Sequence, residues 1–103
     1  MSKKVEWRLE VKLCRSLNVI TGDYHYRADF LHYQLPSYSL LMAGSKDIGM
    51  SSNGALTLSE IMKSNLKFKS FVETVLSNIR KFYPETELFL HPEIVLELED
   101  FGV

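Results

Sequence analysis

Val5, Trp7, Leu9, Val11 and Leu13 alternate with Glu6, Arg8, Glu10 and Lys12. A strand turns successive side chains to opposite faces, so this stretch presents an apolar face and a charged one. A helix repeats its faces about every 3.6 residues and cannot separate the two sets. The chain must therefore contain a sheet with one side covered by a core and the other wetted.

Further strands follow from the same parity. Thr21-Gly22-Asp23 reads as a turn. A second strand is expected from about Tyr24 to Tyr33. Its inward set is Tyr24, Tyr26, Ala28, Phe30 and His32, because that parity holds the aromatics. Leu35-Pro36 breaks the run, and Tyr38 to Met42 is a short third strand. Gly44 to Gly54 is rich in Gly and Ser and closes on Asn-Gly, which reads as a loop.

Helical spacing appears only after this loop. Thr57-Leu-Ser-Glu60 matches a capping box, so a short helix is expected over Leu58 to Lys63. Ser64 or Asn65 caps a longer one. Phe68, Phe71, Val72, Val75, Leu76, Ile79, Phe82 and Tyr83 follow i, i+3, i+4 spacing. Lys67, Lys69, Glu73, Asn78 and Lys81 take the other face, and Pro84 ends the run. Glu87–Leu90 and Ile94–Leu98 read as two strands separated by a turn at His91-Pro92-Glu93.

The expected fold is α+β: an antiparallel sheet of about five strands, in the order β-β-β-α-β-β, packed against one long amphipathic helix. The 103 residues form one domain, residues 1–103. The single Cys14 allows no internal disulfide and suits a reducing compartment. No apolar run approaches the roughly 18 residues of a membrane span. The opening Met-Ser-Lys-Lys has no apolar segment after it, so a cytoplasmic location is expected.

Charge is unevenly distributed along the chain. Pro84 to Val103 carries six carboxylates, Glu85, Glu87, Glu93, Glu97, Glu99 and Asp100, and no Lys or Arg. All 12 Lys and Arg lie before it, so the formal net charge of −1 hides a polarised molecule. A surface of one sign attracts a partner of the other.

Motifs for chemistry are sparse. Gly44 and Gly49 have the spacing of a phosphate-binding loop, but Met50 stands where that loop needs Lys, and no helix starts there. His25, Asp23 and Asp29 spread along roughly 20 Å of strand, too far to share one ion, so no metal or cofactor is expected. His32 should instead close the aromatic face by hydrogen bonding. Cys14 sits beside Arg15, which favours a thiolate, but no cysteine-enzyme motif surrounds it. His25 with Tyr26, Arg27 or Glu97 could serve as acid and base across a sheet only if the fold brought them within hydrogen-bond reach. Tyr24, Tyr26, Phe30 and Tyr33 could stack nucleic-acid bases, with Arg27 and Lys12 on phosphates, yet the same parity is what a core requires.

These readings favour a small non-enzymatic protein–protein interaction module over a catalyst. Its concrete form is an inhibitor or immunity-type protein that docks an acidic strand face on a basic partner surface. The residues expected at that contact are Glu87, Glu93, Glu97, Glu99 and Asp100. The alternatives are a homo-oligomeric structural protein, viral or phage in kind, whose first strand joins a second copy edge to edge, and a nucleic-acid-binding domain using Lys63, Lys67, Lys69, Arg80 and Lys81. The bland reading of the acidic segment is an edge kept soluble by charge.

Overall fold

The computed structural model describes residues 5–97. Its elements are β1 (Glu6–Leu17), β2 (Tyr24–Leu35), β3 (Ser39–Ser51), α1 (Leu58–Ser64), α2 (Leu66–Arg80) and β4 (Glu87–Glu97). The architecture is α+β, as the sequence implied, with a four-stranded sheet and two helices. The strand order is β3-β2-β1-β4.

β1 and β2 form a hairpin paired without interruption from Glu6 opposite Leu35 to Leu17 opposite Tyr24. Asn18 closes its turn: the Asn18 N–H donates to the Asp23 carbonyl at 2.8 Å, and the Gly22 N–H donates to the Asn18 carbonyl at 2.7 Å. Gly22 supplies the left-handed backbone the turn requires, at φ +79°. This register places Leu9, Val11 and Leu13 beside Tyr26, Ala28 and Phe30 on one face. Both sets follow the expected inward parity.

Three strand expectations are corrected. First, the Gly44 to Gly54 segment is not a loop over most of its length. β3 runs through it to Ser51, paired antiparallel with β2 and bulged at both ends. Being an edge strand it meets only one neighbour, so backbone pairing to β2 suffices and no apolar alternation is needed. Second, the two C-terminal strands are one. β4 continues through His91-Pro92-Glu93 as a bulge opposite Val11 to Leu13. Pro92 is tolerated because an edge strand can turn its missing N–H away from the ladder. Third, the sheet is mixed, because β4 runs parallel to β1, and it has four strands among the described residues. The connection from Ser52 to Thr86 carries both helices, the length a parallel crossover demands.

The helices cover the apolar face. Thr57 and Glu60 form the expected capping box of α1, and the Asn65 side chain accepts from the Phe68 N–H at 3.0 Å to start α2. Leu58, Ile61, Phe68 and Val72 bury against the sheet residues named above. α2 ends at Arg80, short of the expected Tyr83. The Phe82 and Tyr83 N–H groups both donate to the Ile79 carbonyl, tightening the last turn. Phe82 is left exposed, outside the core, while Tyr83 packs on Trp7 and His32. Among the described residues no helix is long and apolar enough to cross a membrane.

Two polar contacts seal the core. The Tyr26 hydroxyl donates to the Asn53 carbonyl at 2.6 Å and accepts from the Leu56 N–H at 3.3 Å. It thereby pins the β3–α1 connector. Beside it, a Cβ at Gly54 would fall 2.4 Å from the Tyr24 ring, so only glycine fits there. The Arg15 guanidinium lies over that ring, 4.8 Å from the centroid, and donates to the Gly54 carbonyl.

His32 is buried, bonded to the Thr86 hydroxyl at 3.3 Å and edge-on to Tyr83, the hydrogen-bonded role expected for it. Burial lowers its pKa from the ordinary 6.5. Above that value the imidazole is neutral folded and unfolded, and stability does not depend on it. Below it the unfolded chain binds a proton that the folded chain resists, so stability falls as pH drops. Urea titrations on either side of pH 6.5 are expected to show this loss in the wild type. The same slope should vanish in His32→Phe; an unchanged slope would assign the titration to another group.

Candidate interaction surface

Among the described residues, no layer covers the second face of the sheet. It collects the charged parity of β1 with the outward parity of its neighbours: Arg8, Glu10, Lys12 and Cys14 from β1; His25, Arg27, Asp29, Leu31 and Tyr33 from β2. β3 adds Leu40, Ala43, Ser45 and Asp47 opposite the β2 set. β4 adds Glu87, Phe89 and Val95 beside Arg8, Glu10 and Cys14.

These groups are tied together rather than freely solvated. Asp29 is the centre of one cluster. Arg27 grips it with two bonds, Nε to Oδ1 at 2.9 Å and Nη2 to Oδ2 at 3.2 Å. Ser45 donates to Oδ1 at 3.0 Å, and the Cys14 thiol to Oδ2 at 3.3 Å. The Arg27 bonds chiefly, with help from Cys14 and Ser45, hold the Asp29 carboxyl below its ordinary pKa against a smaller opposing effect of burial. Glu10 centres the other cluster. It accepts from the Tyr33 hydroxyl at 3.0 Å and pairs with Lys12 at 3.3 Å. Glu10 is only 8% exposed although it sits on the uncovered face, because its neighbours lie over it. One of them, Phe89, lies under the Arg8 guanidinium, 5.2 Å from the ring centroid. Tyr33 stacks on Tyr38 at 5.8 Å, and His25 pairs with Asp47 at the far end of the sheet.

Between the two clusters the surface dips. Ala43, Gly44 and Ser45 carry almost no side-chain volume beside Leu31 and Asp29, and a hollow of about 370 Å³ opens there, walled on its other side by Lys12. The glycine-rich segment thus contributes a shallow socket in a sheet rather than a phosphate loop.

Charge is segregated between the layers. The described side chains on the open face include Glu6, Glu10, Asp29, Asp47 and Glu87 against Arg8, Lys12 and Arg27, net −2. The two helices and the Lys81 cap carry Lys63, Lys67, Lys69, Arg80 and Lys81 against Glu60 and Glu73, net +3. Only Glu87 of these open-face carboxylates belongs to the acidic C-terminal segment, so the polarity across the molecule is set by the fold and not by the charge order of the chain.

The expected acidic contact residues are spread out. Glu87 stands at one end of β4, exposed, opposite Arg8, and shares a depression with Glu6 and Glu85. Glu93 is exposed at the bulge, six positions on and roughly 20 Å along the strand. Glu97 pairs through its backbone with Ser16. Leu98, Glu99 and Asp100 lie outside the described residues. Within β4, Leu96 is exposed, whereas Ile94 packs on the core.

Other sequence candidates are placed as follows. Cys14 is buried with its thiol on Asp29, while Arg15 points to the opposite face. His25 pairs with Asp47, and no group of three potential metal ligands forms among the described residues. Tyr26 and Phe30 lie beneath the helices, so they offer no stacking platform to a base. No family model, curated protein or solved structure matches this chain.

The Arg27–Asp29–Cys14 and Glu10–Tyr33–Lys12 clusters escaped sequence reading. Parity alone put these residues on one face. Their pairing depends on the hairpin register, which sets Cys14 opposite Arg27 and Lys12 opposite Asp29. His25–Asp47 was hidden because Asp47 fell in the stretch read as loop.

Proposed function

We propose that the protein is a non-catalytic interaction module that presents its open sheet face to a basic surface of another protein. The observation that carries this reading is the uncovered face itself: four strands wide, with its charges locked in place by their neighbours. Strands of about 12 residues at roughly 3.3 Å each, spaced about 4.8 Å, span on the order of 750 Å². That approaches one side of a standard protein–protein interface, about 800 Å² per partner. Pre-ordered side chains lose little freedom on docking, which lowers the cost of association. The net negative face and the exposed Glu87 and Glu93 suit a basic partner by charge. An inhibitor or immunity-type protein covering a basic site is the concrete form of this reading.

Affinity capture from the source cells with mass spectrometry identifies the partner, and three variants then test the surface. Ala43→Arg, which fills the hollow, and Glu87→Lys with Glu93→Lys, which reverses the edge charge, are each expected to weaken binding on the order of tenfold or more. Added salt should weaken the wild type and have less effect on the reversed variant. Lys67→Glu with Lys69→Glu on the helix side should bind as wild type. Binding that ignores both open-face variants and salt would discard this reading.

A further inference from the structure

The two edges of the sheet are β3 and β4, so β1, expected to join a second copy, is enclosed between β2 and β4 and cannot. β3 is different. It is 13 residues long, none of them buried, and among the described residues no strand lies beside its outer backbone edge. Such an edge is a template for another strand.

We propose that a second copy of the chain adds its β3 antiparallel to this one, about a two-fold axis at Ser45. The register follows from side chains. With Ser45 facing its own counterpart, Leu40 lies opposite Met50, Met42 opposite Ile48, and Gly44 opposite Lys46. Leu40 and Met50 are both on the open face, 59% and 51% exposed, and each gains an apolar neighbour. Met42 and Ile48 both pack toward the helix side. The neighbouring registers fail. An axis at Lys46 sets two ammonium groups against each other, and an axis at Gly44 sets Met42 against Lys46 and Leu41 against Asp47. Like charges directly opposed are destabilising in a ladder, and a mismatched register loses the apolar pairs. The bulges around Leu41 and Ile48 sit on either side of the axis, and each skipped residue returns the strand to register so that Leu40 and Met50 share the face of Ser45.

This arrangement leaves both open faces uncovered, which face-to-face stacking of two sheets would not. The axis stands perpendicular to the sheet, so both open faces point the same way in one eight-stranded sheet. Two partner-binding faces would then be displayed side by side.

The test needs no partner. Light scattering coupled to size exclusion should give twice the 11.9 kDa chain mass at high micromolar concentration. Leu40→Glu alone should shift the protein to monomer. Leu40→Lys with Met50→Glu, which places opposite charges across the pair, should restore the dimer. Ser45→Cys should form an intermolecular disulfide much faster than Lys63→Cys on α1; the native Cys14 is buried and should form none. A wild-type monomer, or a dimer whose Ser45→Cys form crosslinks no faster than Lys63→Cys, overturns the proposal. Either result leaves the open-face reading standing.

Discussion

Phe30→Ala is expected to lower the unfolding free energy by about 3–5 kcal/mol, the usual cost of emptying a buried phenylalanine site. Phe30 is the point where the sheet meets α2. Its ring lies edge-on to Phe71 at 5.5 Å and tilted to Phe68 at 6.4 Å. Removing it takes away the transfer free energy of the ring and leaves a void that two aromatic neighbours cannot close without leaving α2. A domain of this size has roughly 5–15 kcal/mol in total, so the loss takes a large fraction of it. Urea unfolding should show a lower midpoint with an unchanged slope. Phe82→Ala, on the exposed ring just past the helix, should change almost nothing. Equal effects from the two would contradict the packing described.

Tyr26→Ala should cost as much or more, because it removes a fully buried ring together with the connector's anchor. Tyr26→Phe separates the two contributions. It keeps the ring and deletes only the hydroxyl that serves the Asn53 carbonyl and the Leu56 N–H. Leaving two such backbone groups without their partner costs about 1–3 kcal/mol. The loss should be local as well as global. Amide hydrogen exchange at Ala55 and Leu56 is expected to accelerate in Tyr26→Phe more than exchange at Val11 or Phe30. Uniform acceleration would mean that the hydroxyl does not hold the connector.

The core was legible because its residues announce themselves locally. Leu9, Val11, Leu13, Tyr26, Ala28 and Phe30 needed only period-two parity, and Phe68 and Val72 only helical spacing. His32 was legible for the same reason: a lone polar residue on an aromatic parity must find a hydrogen bond. β3 was not legible, since Gly44, Ser45 and Lys46 carry no strand pattern and are strand only because β2 lies alongside. His91-Pro92-Glu93 looked like a turn and proved to be a bulge, because edge position excuses a proline that a central strand would reject. The open-face clusters depended on register, a relation between residues as far apart as Glu10 and Tyr33.

The chain by itself determined that there would be a one-sided sheet, which β1, β2 and α2 residues would form most of its core, where the helices would start, and that charge would be unequally shared. Tertiary structure decided which strands lie at the edges, that β4 runs parallel to β1, and that Asp29 gathers Arg27, Cys14 and Ser45. The division has a physical cause. Parity, capping and propensity act over a few neighbouring residues and are written in local order. Strand order and register follow from closing long loops around a shared core, and their free energy belongs to no single segment.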